Sequence, residues 1–331
     1  MRLRDVGEHR VVRKLLEKVL SRSWRCRKLQ PGDDAACAGP SLSKVLVKID
    51  GFSLAGVKAP WMTWYDVGWQ AVAAAASDIV AKGGRPLAFL ISVGLSGDED
   101  EEVLLELVQG ASDSALRHGA WLAGGDTNSC PQQGCGWIDA AGVGVAEKPV
   151  GRSPKPGDLV YTTLGRHGVG GAVLRALETG LWRTYFELFP SLFSEFARPL
   201  ARLAFADVVG AVAEGCITGS ADSSDGLAYT LKLVAEAAGA SVFLEKLPRA
   251  SSDAEKLAER LGASIEELVL YGGQEYEVIF TVRPSCAEEV ESAARRAGLS
   301  VERIGVIRHG PPNILLNGKV VEGRGWDNFK K

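Results

Sequence analysis

Hydrophobic and polar positions fall into two periods that alternate along the chain. Residues 43–50 carry β-branched and apolar side chains and predict a strand that ends on Asp50. Residues 67–82 are Ala-rich and apolar on most faces, the pattern of a buried helix. A strand is expected over 87–95. An amphipathic helix follows over 99–118, with acidic residues in its first turn as the helix dipole favours. Residues 120–123 read as a short strand leading into a Gly124-Gly-Asp-Thr127 turn, and 137–146 as a strand of small residues. Residues 148–158 then break the pattern with three prolines and two glycines, which predicts a boundary. Beyond it, strands are expected over 159–163, just before Asp222, and over 241–244, 275–282 and 301–307. Helices are expected over 169–179, 199–213, 227–238 and 286–297. The expectation is a mixed α/β (α+β) protein of two domains, residues 1–147 and 148–331.

A chain of 331 residues exceeds the size of one typical core, in keeping with two domains. Its 46% hydrophobic and 24% charged residues are those of an ordinary globular protein. A formal net charge of −3 argues against nucleic acid as the main partner. The longest apolar stretch, 71–81, is interrupted by Ser77 and Asp78 and is too short for a bilayer. The first residues lack the apolar core of a signal peptide, so a cytoplasmic protein without a membrane partner is expected. The cysteines (Cys26, Cys37, Cys130, Cys135, Cys216, Cys286) show no Cys-x-x-Cys spacing, and His is scarce, so no zinc site is expected. They read as buried reduced thiols, except that Cys130 and Cys135 flank a Pro-Gln-Gln-Gly loop and could bridge. Few Asn, Gln and Met with many Arg and Glu hint at a thermophilic source.

Seven aspartates carry the chemistry: Asp33 and Asp34, Asp50, Asp78, Asp126, Asp222 and Asp225. Most close an apolar strand or open a Gly-rich turn. Carboxylates gathered together repel unless cations lie between them; hard oxygen ligands suit Mg²⁺, and Mg²⁺ brings phosphates. Singly, each has a plainer reading. Gly-Asp-Asp is a turn, and Asp222 or Ser224 could cap the helix that begins near Gly226. Asp78 is harder to set aside. A carboxylate in an apolar helix costs on the order of several kcal/mol unless paired or metal-bound. Lys82, one turn on, is its structural partner by spacing. Gly165-Arg-His-Gly-Val-Gly-Gly171 only superficially resembles a phosphate-binding turn, and the chain has neither a Walker motif nor a kinase His-Arg-Asp loop. Nucleotide chemistry would therefore rest on the aspartates and their metals.

Nine short motifs occur in one order. They are Gly32-Asp33-Asp34, Asp50, Ser77-Asp78-Ile79, Gly124-Gly125-Asp126-Thr127, Gly151-Arg152, Lys155-Pro-Gly-Asp158, Asp222-Ser-Ser-Asp-Gly-Leu227, Gly272-Gly-Gln-Glu-Tyr-Glu277 and Gly325-Trp-Asp-Asn-Phe329. In this order they resemble the thiamine-monophosphate kinase family, within the superfamily of aminoimidazole ribonucleotide synthetase. The resemblance implies a two-domain aminoimidazole ribonucleotide synthetase-like fold whose N-terminal strands form a dimer barrel, with ATP and several Mg²⁺ in a cleft. It implies metal ligation by Asp33, Asp34, Asp50, Asp78, Asp126, Asp222 and Asp225. It implies nucleotide contacts by Gly125, Asp126, Thr127, Arg152 and Ser224, and catalytic roles for Asp222, Asp225 and Arg152. Glu275, Trp326 and Phe329 would serve the acceptor.

The chain departs from the family at Ile49-Asp50-Gly51, at Gly56-Val-Lys-Ala-Pro-Trp61, at Gln70 and Ala75, and at Gln274-Glu275. These changes fall mostly where the acceptor would lie. The reading is an Mg²⁺-dependent kinase acting on thiamine monophosphate, with small-molecule partners and a homodimer. The alternatives are a kinase with another acceptor, of nucleoside or ribazole type, and a non-catalytic nucleotide-binding regulator. His9, His118, His167 and His309 are expected to be structural or exposed.

Overall fold

The structure is a computed structural model that describes residues 10, 13–15, 17, 29, 33–38, 44–132 and 134–326. Its first sheet has the order β1-β2-β5-β3-β4, from β1 (Ala36–Cys37), β2 (Val45–Ser53), β3 (Arg85–Ser96), β4 (Trp121–Cys130) and β5 (Gly136–Val145). Neighbours are antiparallel except β3 and β4, which run parallel. Helices α1 (Trp64–Ala81) and α2 (Glu101–Arg117) pack against this unit. A capping box between Thr63 and Asp66 starts α1, which is buried along nearly its whole length, as its Ala-rich pattern predicts. The two helices cross closely because neither partner carries a side chain at the crossing. A Cβ on Gly68 would lie 2.0 Å from the Leu107 carbonyl oxygen, and one on Gly110 would lie 1.9 Å from that of Tyr65. The other face of the sheet leaves Val47, Ile49, Leu90, Val143 and Val145 exposed.

The second sheet has the order β12-β11-β8-β10-β6-β9-β7. Its strands are β6 (Leu159–Thr163), β7 (Ile217–Asp222), β8 (Ser241–Leu244), β9 (Val278–Val282), β10 (Val301–Arg308), β11 (Ile314–Leu316) and β12 (Lys319–Val321). The helices of this half are α3 (Val169–Glu178), α4 (Trp182–Leu188), α5 (Pro190–Ala197), α6 (Ala204–Ala211), α7 (Leu227–Ala238), α8 (Ser252–Leu261), α9 (Ile265–Tyr271) and α10 (Ala287–Arg296). One apolar cluster runs from Val67, Phe89 and Ile138 through to Tyr161, Phe205 and Phe280, so the two sheets share a core. The connecting segment contributes an isolated bridge between Arg152 and Gly219. No helix among the described residues is long and apolar enough to cross a membrane.

Several expectations are corrected. Strand β2 runs through Asp50 to Ser53, because its pairing with β5 continues to Trp137. Strand β4 runs through Gly124-Gly-Asp-Thr127 to Cys130 beside β3, so Asp126 lies in a strand and not in a turn. The helix expected over 199–213 is α6 alone, since Pro199 keeps the preceding α5 from continuing. Strand β9 starts only at Val278, because Gln274 and Tyr276 have φ of 60° and 52°, outside the strand region. The turn between β11 and β12, Asn317-Gly318 with both φ positive, is a hairpin signal the patterning did not use. Cys130 and Cys135 are bridged as their spacing allows. Cys216 and Cys286 are also bridged, and Cys37 is disulfide-bonded too, which corrects the reduced-thiol expectation for these three. Cys26 and His9 lie outside the described residues.

Candidate active site

Four pieces of chain converge on one charged cluster: the turn at 33–34, strand β2, helix α1 and the end of β7. Alternation along β2 puts Leu46, Lys48 and Asp50 on the face toward α1, opposite Val47 and Ile49. Asp78 enters from α1, with its side chain only 7% exposed. Asp222 arrives at the last position of β7. Asp34, Asp78 and Asp222 each offer a carboxylate oxygen, and these atoms lie within 4.8 Å of one another.

Three cations hold the cluster together. Lys48 Nζ lies 2.8 Å from Asp78 Oδ2 and 3.5 Å from Asp50 Oδ2. Lys82, fully buried, lies 2.5 Å from Asp33 Oδ1 and 3.1 Å from Asp34 Oδ2, and also donates to the Ser220 carbonyl. Arg152 lies 2.5 Å from Asp34 Oδ1 and 3.3 Å from Asp33 Oδ1. Lys82 is therefore not the partner of Asp78 that the i,i+4 spacing predicts; Lys48 is. Neither lysine is marked by the sequence motifs as part of the site, although Lys48 stands two residues before Asp50 and so on the same strand face.

Among the described residues the cluster is short of positive charge, with these three cations against Asp33, Asp34, Asp50, Asp78 and Asp222. Burial, reinforced by the charge of Asp34, pushes the Asp222 carboxyl up to about 7. Burial also holds Asp78 well above the usual carboxylate range, with Lys48 opposing and Asp222 and Asp50 adding to it. For Asp34, burial is outweighed by Lys82 and Arg152, which bring it below its ordinary value. Asp34 Oδ2 is buried, 3.1 Å from Lys82 Nζ, and among the described residues has no partner in hydrogen-bond geometry. Hard oxygen donors at this spacing with an unsatisfied buried oxygen fit a divalent cation such as Mg²⁺.

Beside the cluster, the loop after β7 is zipped to the turn before β9. Ser223 N–H donates to the Glu277 carbonyl (2.8 Å), Tyr276 N–H to the Ser223 carbonyl (3.2 Å), and Gln274 N–H to the Ser224 carbonyl (2.7 Å). Glu275 does not line the cleft. It is fully buried, accepts from Gly168 N–H (2.6 Å) and lies 3.2 Å from His167 Nδ1. Its place is beneath the turn, where it occupies the amide of Gly168, the N-cap of α3. The Gly-rich stretch 165–171 thus receives a protein carboxylate, and its glycines allow close packing: a Cβ on Gly170 would lie 1.8 Å from the Gly273 carbonyl oxygen. Glu277 is buried too, paired with Arg202 and bonded by Thr163. His118 is buried neutral, its pKa lowered to about 4 by burial, and accepts from Ala201 N–H. His309 is exposed.

The remaining residues lie around this centre. Asp225 accepts the Trp326 amide through its carbonyl (3.3 Å). Trp326 is 63% exposed, while Gly325 packs on Tyr229 and Arg324 stacks 4.3 Å from the Tyr271 ring. Gly125, Asp126 and Thr127 are exposed on edge strand β4, where Asp126 accepts from Asn128 (2.8 Å); they do not join the group of Asp34, Asp78 and Asp222. Phe329 lies outside the described residues.

The chain is similar to known proteins over nearly its whole length. The family model for AIR synthase related protein, N-terminal domain, matches residues 32–146. A thiamine-monophosphate kinase of Pyrobaculum calidifontis is 30% identical over 86% of this chain and 87% of its own length. A solved structure from Thermus thermophilus covers 97% of this chain and 100% of its own, with TM-score 0.86 and 37% identity. AaThiL complexed with AMPPCP and TMP covers 99% of both chains, with TM-score 0.81 and 26% identity.

Proposed function

Because the chain belongs to the thiamine-monophosphate kinase family, we propose that it is an Mg²⁺-dependent kinase that transfers the γ-phosphoryl group of ATP to thiamine monophosphate, giving thiamine diphosphate. The observation that carries the reading is the convergence of Asp34, Asp78 and Asp222 from three separate parts of the chain. The fold of AaThiL, which holds AMPPCP (an ATP analogue) and TMP, supports it.

The acceptor phosphate is already an anion at neutral pH, so transfer needs no general base, and the cluster can act without a histidine. What the reaction needs is in-line placement and relief of the repulsion between phosphates. Divalent cations, when bound, supply that charge neutralisation. Asp33, Asp34, Asp50, Asp78, Asp222 and Asp225 would hold them. Arg152, which holds the 33–34 turn, would also contact a phosphate oxygen. The loop carrying Ser224 is held by its bond to Gln274. Gly125, Asp126 and Thr127 would serve the nucleotide from β4. The exposed indole of Trp326 beside Asp225 would stack on the cationic acceptor.

The chain acts as a homodimer in this reading. Among the described residues strand β4 is an unpaired edge, and Val47, Ile49, Leu90 and Val143 form an apolar face that a second copy would cover. The two sheets support the division into domains at 147/148, and the reaction belongs in the cytoplasm.

The test is an acceptor screen with ATP and Mg²⁺, read by product mass. Thiamine diphosphate formed only when both are present is the expected result. Faster phosphorylation of a nucleoside or ribazole, or nucleotide binding without product from any acceptor, overturns it.

A further inference from the structure

We infer that the Lys48 ammonium is a built-in cation of the acidic cluster, standing between Asp50 and Asp78 where a divalent ion would otherwise bind. The inference rests on reading this cluster as the metal centre, and concerns how many ions that centre takes.

The geometry is specific. Lys48 and Asp50 are two residues apart on β2 and so share the face that looks at α1. The ammonium spans the two carboxylates, 2.8 Å from Asp78 and 3.5 Å from Asp50, and its side chain is only 24% exposed. An ammonium and a divalent ion compete for the same oxygens. Lysine offers one charge and three donors on a tether, so it neutralises the pair without coordination geometry and without release into solvent. The other two cations do not do this. Lys82 and Arg152 pair with Asp33 and Asp34, not with Asp50 or Asp78. Asp222 has no ion pair among the described residues, and its carboxylate lies within 4.8 Å of those of Asp34 and Asp78, so this group is left for a divalent ion. The arrangement therefore sets a lysine-filled edge (Asp50 with Asp78) beside a metal-binding group (Asp34, Asp78 and Asp222).

The experiment counts Mn²⁺ bound to the nucleotide-free full chain by electron paramagnetic resonance and calorimetry, for wild type, Lys48→Met and Lys48→Arg. Lys48→Met is expected to bind one further Mn²⁺ per chain, or the same number at least about tenfold tighter, the scale set by losing one competing charge–charge contact. Lys48→Arg, which keeps the charge, is expected to match wild type. Equal counts and affinities in all three forms overturn the role of Lys48 and leave the metal centre standing. No Mn²⁺ binding in any form overturns both. Should Lys48→Met fail to fold without metal, the wild type decides alone: the ¹⁵N resonance of its Lys48 ammonium is expected to persist unshifted through saturation with Mg²⁺. Its loss or displacement would show that the metal takes that position.

Discussion

Lys82 Nζ and Asp33 Oδ1 lie 2.5 Å apart, with the lysine fully buried and the aspartate side chain 5% exposed. The pair joins the end of α1 to the turn that carries Asp33 and Asp34, and Lys82 also donates to the carbonyl of Ser220 on β7. One ammonium thus ties both halves of the protein to the acidic turn.

Removing that charge should destabilise the apo protein. Lys82→Met leaves Asp33 and Asp34 with Arg152 as their cation in this cluster, and an uncompensated buried charge costs about 3–5 kcal/mol. Urea unfolding in EDTA should show that loss, and millimolar Mg²⁺ should recover part of it. A change under about 1 kcal/mol, comparable to an exposed ion pair, would mean that the burial is not energetically felt.

Asp78→Asn and Asp222→Asn should each lower kcat by at least about a hundredfold, on the order of 3 kcal/mol of transition-state stabilisation, while leaving the fold intact. The stability effect of Asp222→Asn has a definite sign. The folded carboxyl titrates near 7, above its ordinary 3.8, so its ionised form is disfavoured in the metal-free fold. The Asn variant should be more stable than wild type at pH 8 in EDTA, and the difference should shrink as pH falls below 7. Normal turnover in both variants at limiting Mg²⁺ would make these acids structural.

How much of this site can be read from the sequence depends on what places each residue. Asp78 stands out because an acid inside an Ala-rich apolar helix needs a partner, and the structure puts it at the centre of the cluster. Its partner is another matter. Spacing along one helix suggests Lys82, but α1 is buried on all sides, and Lys82 is drawn to the aspartates of the 33–34 turn. That choice is set by tertiary packing, which no i,i+4 rule contains. For Asp126, local patterning suggests a turn after a short strand. Pairing with β3 instead carries β4 on through the Gly-Gly pair, and a one-strand reading cannot see its neighbour. Glu275 shows the same limit. Its motif position suggests the acceptor, but the left-handed Gln274 and Tyr276 turn it inward onto Gly168 and His167.

The buried pair of His167 and Glu275 should give the fold a pH dependence. Burial pushes Glu275 up to about 7, although His167 and the Gly168 amide pull against it. His167 is disfavoured by burial but raised above its ordinary value by Glu275. Both folded pKa values exceed the unfolded ones, so the folded state holds protons more tightly and this contribution falls as pH rises from about 4.5 towards 7. In Glu275→Gln the histidine loses its strongest counter-charge and keeps Glu277 and the Thr163 carbonyl against burial, so the fall with pH should flatten. Urea midpoints between pH 5 and 8, taken as wild type minus variant, read the sign. A flat difference would show that the pair titrates alike in both states.

Trp326 offers the sharpest test of the acceptor. Large aromatics near a chain end usually pack as a latch, but here other atoms dock the segment. Gly323 packs on Lys232, Gly325 packs on Tyr229, Arg324 lies over Tyr271, and the Trp326 amide bonds to the Asp225 carbonyl. The indole is left 63% exposed next to the loop that carries Asp222 and Asp225. Truncating an exposed ring removes little packing, so Trp326→Ala should change stability by no more than about 0.5 kcal/mol. A ring that stacks on the flat cationic acceptor should matter far more to binding. Losing such a contact costs about 1–2 kcal/mol, or roughly ten- to thirtyfold in affinity for thiamine monophosphate, with affinity for an ATP analogue unchanged. Calorimetric titration with each ligand separates the two roles. If stability falls while thiamine monophosphate still binds normally, the indole is a latch after all, and recognition of the acceptor must come from elsewhere in the cleft.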